Sequence, residues 1–410
     1  MRRTAPADVS ASAPRVGAGL STAARGALAA DSAIGDALDG LAGARADLLI
    51  LFISPQFEGE LERILERAVE HAEDAVIMGC TAGGVIGATS EIEDAPAIAA
   101  WAASLPSTGV VPFRLTFQKE GEHGIIDGLE DMPSSERGDV MVMLSDPFSF
   151  PADLLLAHLN EHAPGVPVIG GQASGGLEAG RNVLISNGRV VRDGAVGVIL
   201  TGGTSTSWLV SQGCRPIGET YAVTSAERNV IHELASAPAL RRLEEVYAAA
   251  SLRDQLLMRR GLHVGQAISE LKPQLARGDF LIRNVMGIDP KTGAIAITDM
   301  VEVGQTIQFQ VRDANSARED LRLILEQQRQ QDERPVVGAL LFSCNGRGQA
   351  LFGQPHHDVG AVQRAFGGIP VAGFFAAGEL GPVGGRNFLH GFTASVLLVR
   401  EGARTSQRLV

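Results

Sequence analysis

One pattern recurs three times along the chain and decides how the fold is read. Ala75-Val-Ile-Met78 runs into Gly79-Cys80-Thr81-Ala82-Gly83-Gly84. Val166-Pro-Val-Ile169 runs into Gly170-Gly171-Gln172-Ala173-Ser174-Gly175. Ile369-Pro-Val-Ala372 runs into Gly373-Phe374-Phe375-Ala376-Ala377-Gly378. Upstream of each copy lies another apolar strand: Asp47–Phe52, Asp139–Leu144 and Val337–Phe342. Helical stretches such as Glu58–Ala72 and Asp153–His162 fill the interval, and a further strand follows each copy after a polar loop, at Ala97–Leu105, Ala195–Leu200 and Phe392–Val399. Continuous apolar runs of this kind are strands buried on both faces, and a helix between two of them suits a parallel crossover. A glycine at the strand end permits either a turn through positive φ or close approach of another backbone. Both readings stay open from sequence.

These units define an α/β or α+β protein made of two related halves of mixed sheet with flanking helices. Gly-rich loops from both halves are expected to line a cleft between them, where small-molecule pockets commonly sit. A flexible tail is expected over residues 1–18, a first domain over 19–205, a second over 206–400 and a closing tail over 401–410. The boundary is placed at Thr201-Gly-Gly-Thr-Ser-Thr-Ser207, the most linker-like interior stretch. Between the second and third copies, Val223–Arg260 reads as mostly helical. Gly278–Arg283 and Gly293–Thr298 read as strands joined by a turn at Asp289-Pro-Lys-Thr-Gly293, and Thr306–Val311 alternates like a half-buried strand. Ser316-Ala-Arg-Glu319 has the form of a capping box opening a helix with Leu321, Ile324 and Leu325 along one side.

Composition narrows the function. The 410 residues carry 35 Lys+Arg against 47 Asp+Glu, a net charge of −12, with 5% aromatics. An acidic chain poor in stacking rings argues against nucleic-acid binding. Three cysteines cannot staple a secreted scaffold and fit a reducing cytoplasm. No apolar run approaches the ~20 residues of a membrane span, and Arg2-Arg3 is not followed by a signal-peptide apolar stretch.

In Met78–Gly87 with Glu91-Ile-Glu93, Gly194–Val198, Val210–Gly218, Gly278–Arg283, Gly304–Phe309, Leu341–Gly348, Ala372–Pro382 and Asn387–Thr393, the sequence resembles the FIST family, with a FIST N-terminal and a FIST C-terminal part. The ordered set of blocks runs from about Gly19 to Leu398 and is far more specific than any one of them. The resemblance implies a non-enzymatic sensory module of bacterial signal transduction that binds a small ligand, an amino acid or related metabolite. It also implies, as an alternative, a haem-bearing nitric-oxide sensor, although no haem ligand can be matched residue by residue, and the cofactor is left unknown. With no fused output domain in this chain, a separate signalling partner is expected, and neither nucleic acid nor membrane.

Candidate ligand-binding residues lie in and beside the Gly-rich loops. Cys80 reads as an activated thiol at a strand end or as a small core residue. Gly83 and Gly84 allow close approach, and Gln172 and Ser174 offer neutral hydrogen bonds. In Cys344-Asn-Gly-Arg347-Gly348, Arg347 between glycines is placed to take an anion bidentately or to form a structural ion pair with Glu379. Glu379, alone among the three loops in being acidic, could accept an ammonium, so that Arg347 and Glu379 together would read both ends of a zwitterion. His356 of the His356-His357 pair and Cys214 before Arg215-Pro216 are weighed as haem ligands. Cys344 or Cys80 with a nearby His is weighed as the nucleophile of a cysteine-dependent enzyme. His158-Leu-Asn-Glu161-His162 formally matches a zinc-protease pattern but reads better as a solvated helix end. No phosphate loop and no nucleophile elbow occur.

Overall fold

The computed structural model describes residues 13–120, 123–130, 132, 138–272 and 274–403. Arg2-Arg3 and the last residues of the C-terminal tail lie outside them. Mixed sheets and flanking helices make the chain an α/β protein.

The first unit comprises β1 (Arg15–Ser21), α1 (Gly26–Asp39), β2 (Leu48–Ile53), α2 (Leu61–His71), β3 (Val76–Thr81), the hairpin β4 (Gly84–Gly87) and β5 (Ser90–Glu93), and β6 (Ile98–Ser104). The second has β7 (Thr108–Glu120), β8 (His123–Asp127), β9 (Val140–Ser145), α3 (Ala152–His162), β10 (Val168–Gln172), the hairpin β11 (Leu184–Ser186) and β12 (Arg189–Val191), and β13 (Ala195–Gly202).

The third unit opens with β14 (Thr204–Gln212) and is then interrupted. The inserted stretch holds β15 (Cys214–Glu227), β16 (Val230–Leu234), β17 (Ala237–Pro238), α4 (Ala239–Ala249), α5 (Leu252–Arg260), β18 (Leu262–Ala267), β19 (Phe280–Ile288), β20 (Ile295–Ile297) and β21 (Thr306–Arg312). The unit resumes with α6 (Ala314–Gln331), β22 (Val336–Cys344), α7 (Gly348–Phe352), α8 (His357–Phe366), β23 (Val371–Ala376), the hairpin β24 (Glu379–Val383) and β25 (Arg386–His390), and β26 (Thr393–Ala403).

Each unit builds one sheet of the same order: β1-β6-β2-β3, β7-β13-β9-β10 and β14-β26-β22-β23. The central pairs β2–β3, β9–β10 and β22–β23 are parallel. Every sheet is then completed by a hairpin from another unit. β4–β5 leaves the first unit and pairs with β23. β24–β25 leaves the third and pairs with β10. β11–β12 leaves the second and pairs with β3, closing the cycle.

The apolar runs follow from this arrangement. Along β2, Leu48, Ile50 and Phe52 face a core shared by all three sheets, where Phe52 stacks on Phe374 at 5.1 Å and meets Phe342 edge-on at 6.3 Å. Leu49, Leu51 and Ile53 face α1 and α2. A strand with a core on each face has no position left for a polar residue. α3 covers the outer face of the second sheet, and α6 with α8 that of the third.

The leading glycine of each motif is resolved in favour of close approach. A Cβ on Gly79, Gly170 or Gly373 would lie 2.1, 1.8 or 1.7 Å from the carbonyl oxygen of Leu51, Met143 or Leu341 on the neighbouring parallel strand.

Several local expectations change. Residues 15–18 are not a tail, since β1 starts at Arg15 and buries Val16, and β26 extends through Ala403 past the expected tail boundary. Thr201–Ser207 is sheet rather than linker: Thr204–Ser207 pairs with β26. Val223–Leu234 is a hairpin, not helix, turning at Arg228 with φ 55°. The α6 cap is Asp313, whose side chain accepts from the Asn315 N–H, because the helix starts at Ala314, ahead of the Ser316 box. The turn at 289–293 forms as expected, with Asp289 accepting from the Lys291 N–H and the Thr292 hydroxyl. Within the insert, β15 pairs with β21 along its first part and with β16 along its second, so the antiparallel strands close into a small barrel around Val264, Ile295, Ile307 and Phe309.

Gly373→Ala should cost about 3 kcal/mol or more in urea unfolding, because the new methyl overlaps backbone that cannot yield. Gly35→Ala, in α1 with nothing within 4 Å of the new carbon, should instead gain about 0.5–1 kcal/mol from helix propensity.

Candidate functional site

The Gly-rich loops bond to one another. The Ser174 hydroxyl accepts from the Gly83 N–H at 3.1 Å and donates to the Phe375 carbonyl, tying loops from all three units. The Gln172 N–H donates to the Gly378 carbonyl at 2.8 Å, and the Ala377 N–H donates back to the Gln172 carbonyl at 3.0 Å. Gly84 opens β4 against the Phe375 ring. Gly83, Gly84, Gln172 and Ser174 therefore lock a packed junction.

Charge concentrates at the C-terminal end of β22. Arg347 and Asp358 are each 1% exposed and pair bidentately, Nε to Oδ2 at 2.6 Å and Nη2 to Oδ1 at 2.9 Å. The sequence-level partner, Glu379, is not the one Arg347 uses. Burial alone would raise the Asp358 carboxyl, but the Arg347 charge and hydrogen bonds from Arg347, His357 and Ser343 hold it well below the usual range. The helix that carries Asp358 is fixed by a borrowed residue. Glu91, on the β4–β5 hairpin, accepts from the His357 and Val359 N–H groups at 3.2 and 2.8 Å and so caps the α8 N-terminus, although burial and the Asp358 charge push its pKa up to about 7. Its neighbour Glu93 accepts from the Gln349 N–H at 2.9 Å.

Glu379 is fully buried. Its Oε2 accepts from the Thr393 N–H at 3.0 Å and from the Thr393 hydroxyl at 2.8 Å, while Oε1 has no partner. Burial pushes its pKa up to about 8, so it holds a proton at neutral pH. The proton belongs on Oε1, since Oε2 is already receiving two donors. Arg347 likewise keeps one unpartnered atom, Nη1. Nη1 points at the turn where the barrel leaves the third sheet: a Cβ on Gly213 would sit 3.3 Å from it.

The barrel faces the same place. Arg312 donates to the Gly346 carbonyl and lies over the Phe392 ring at 5.3 Å. His263 also meets the Phe392 ring, at 4.3 Å. Both His263 ring nitrogens are buried without partners, as is the amide nitrogen of Gln310, opposite His263 on β21. Burial and the Arg312 charge push the His263 pKa down to about 4, leaving it neutral. Phe392 has φ 66°, a left-handed conformation unusual for a bulky residue. Strain of this kind gathers at functional sites.

The FIST N domain matches residues 47–236 and the FIST C domain residues 239–382. The chain belongs to the FIST family. It is 44% identical over 384 residues to an uncharacterized protein of Mycobacterium tuberculosis, covering 94% of this chain and 99% of that one. To an uncharacterized protein of Mycobacterium bovis it is 41% identical over 384 residues, covering 94% and 98%. FIST domains are sensory domains that bind small ligands. Among the described residues no helix is long and apolar enough to cross a membrane.

Two residues singled out from sequence have structural roles in this FIST chain. Cys80 is buried opposite Phe52 and Leu184 in the shared core, where burial pushes the thiol up. His356 is exposed with φ 60°, and its Nδ1 accepts from the Glu91 N–H at 2.9 Å, clamping the borrowed hairpin. Cys344 and Cys214 do lie at the corner, but burial pushes both thiols up to about 12, which removes the thiolate that nucleophilic chemistry requires. Haem does not fit the positions weighed for it. On Cys214 it would displace Ala267, Phe280 and Ile282, which pack around the sulfur, and His356, whose Nδ1 accepts a backbone N–H, carries its proton on Nε2 and has no free lone pair for iron. His158 and His162 stack at 4.1 Å, and among the described residues no three His, Cys, Asp or Glu side chains form a metal-sized group.

Asp358, Glu91, His263 and Phe392 escaped the sequence reading as site residues. Glu91 and Phe392 lay within resemblance blocks; the other two gave no local signal, because each acquires its role from a partner elsewhere in the fold.

Asp358→Asn should destabilise the protein by about 3–5 kcal/mol, since it strands a buried guanidinium. Arg347→Met combined with Asp358→Leu should recover most of that loss, which a double-mutant cycle in urea would measure. Neutral Glu379 contributes stability that is complete below about 4.5 and is lost as pH rises through about 8. Unfolding free energy measured between pH 5 and 8 should therefore fall less steeply in Glu379→Gln than in wild type, by about 1.4 kcal/mol per pH unit.

Proposed function

We propose that this protein is a small-ligand sensor whose ligand binds at the junction between the barrel and the third sheet, and which signals through a separate protein partner. The observation that carries the reading is a set of buried polar groups without partners at that junction: Arg347 Nη1, Glu379 Oε1, both His263 nitrogens and the Gln310 amide. Buried polar atoms are almost always paired, and clusters of exceptions mark sites with work to do. At neutral pH, Arg347 and protonated Glu379 are both donors, which suits a carboxylate or carbonyl oxygen. Glu379 is then a poor acceptor for an ammonium, so an amino acid or related metabolite would be held here by its carboxylate, with His263, Gln310 and the Phe392 ring reading the remainder.

The insert explains how occupancy would reach a partner. Arg312 and Phe392 join the barrel to the corner, so a ligand there would have different contacts in each arrangement of barrel and core, the requirement for shifting a population. The thiols are protonated and buried, which favours sensing over cysteine catalysis.

Native mass spectrometry of the purified protein should detect a noncovalent adduct of metabolite size, lost on denaturation and absent from His263→Ala/Gln310→Leu. A haem-sized adduct would overturn the reading. So would a bare chain whose melting temperature is unmoved by a panel of amino acids and their keto acids.

A further inference from the structure

The outer face of the third sheet carries a groove between α6 and α8 of about 480 Å³, within the range of small-molecule pockets. Its walls follow from helical spacing. Arg318, Arg322, Leu325 and Arg329 recur at intervals of four, three and four on α6, so they share one face. His357, Ala361 and Arg364 do the same on α8. Four arginines thus line the groove against a single carboxylate, Glu326, in a chain whose net charge is −12.

These arginines are not all spent on structure. Arg322 pairs with Glu326 at 3.0 Å, and Arg318 donates to the Phe352 carbonyl at 2.6 Å. Arg329 and Arg364 form no ion pair among the described residues. Like charges brought to one groove repel, and an isolated solvated face would place them apart. The floor is apolar, made by Leu325, Ala361 and Ala365. The inner end is His357, whose Nδ1 lies 2.9 Å from Asp358 Oδ1 and whose ring stacks on Phe352 at 3.6 Å.

We infer that the α6–α8 groove binds a small organic anion: a carboxylate or phosphate head held by Arg329 and Arg364, with an apolar body on Leu325, Ala361 and Ala365. A guanidinium pair matches either head by bidentate hydrogen bonding. The site is separate from the barrel–core junction, and absence of binding here would leave the junction reading standing. The two are nonetheless joined, because His357 touches Asp358 and Asp358 holds Arg347.

Titration calorimetry of the full chain with octanoate, octyl phosphate, inorganic phosphate and octylamine tests the inference. Octanoate or octyl phosphate should bind, octylamine should not, and inorganic phosphate should bind at least about tenfold more weakly than octyl phosphate. Arg329→Glu/Arg364→Glu should weaken binding about tenfold or more. Both side chains are exposed, so this variant should melt like wild type. Arg63→Glu/Arg189→Glu makes the same change of charge on the first sheet's side and should leave the affinity unaltered. Silence from both amphipathic anions, equal binding by the groove variant, or equal affinity for inorganic phosphate and octyl phosphate would overturn it.

Discussion

Each of the three α/β sheets ends in a hairpin that another unit supplies, and this exchange of strands is the constraint on which the rest of the structure depends. A sheet edge left open presents unpaired N–H and C=O groups, which are costly to bury and prone to wrong pairing. Here β3, β10 and β23 receive their outer neighbours from the second, third and first units in turn. No unit holds its complete sheet alone. The strand before each hairpin carries Gly79, Gly170 or Gly373 where the facing carbonyl of its parallel partner leaves no room for a Cβ.

The same exchange assembles the charged corner. The first unit's hairpin carries Glu91 and Glu93 onto the N-termini of α8 and α7, while the third unit's own hairpin begins with Glu379 beside Gly171 of the second. Arg347 and Asp358 come from the third unit, and Arg312, His263 and Gln310 from the barrel inserted within it. The equivalent corner of the second unit satisfies its own carboxylate locally: Asp146 accepts from Ser149 at 2.6 Å and from Asn182 at 2.9 Å. Interruption of the third unit by the barrel is what separates the two cases. It brings polar groups from a second body to a corner that in the second unit is closed by its own chain.

Much of the layered fold was legible because burial on both faces of a strand writes itself into composition. The runs Leu48–Ile53, Val140–Ser145 and the apolar half of β22 could be placed, the first two with their crossover helices, and the triplicated glycine motif revealed the repeat; the third crossover helix, α8, was not seen, and its first residue was read as extended. The hairpins were less visible. Residues 84–93, 184–191 and 379–390 are polar enough to pass for loops, since their register is set by the strand they join and not by alternation of their own. Val223–Leu234 misled for a related reason: its hairpin is held by β21 and β20, distant in sequence. Of the candidate residues, Cys344, Arg347 and Glu379 do meet at one corner, and Gln172 is next to it through Gly378. Cys80 and His356 serve the core and the borrowed hairpin.

The sequence by itself determined the α/β layering, the three repeated units, the glycine at each close approach and the family, because each rests on local composition or on ordered motifs. Only the tertiary structure decided which unit completes which sheet, that Asp358 and not Glu379 pairs with Arg347, and that the Gly-rich loops bond to one another. Those outcomes depend on contacts between residues far apart along the chain, such as Glu91 with Val359, 268 positions away. Charge pairing and strand exchange at that range are settled by which groups the packed layers bring within a few ångströms, and no local pattern in the chain records it.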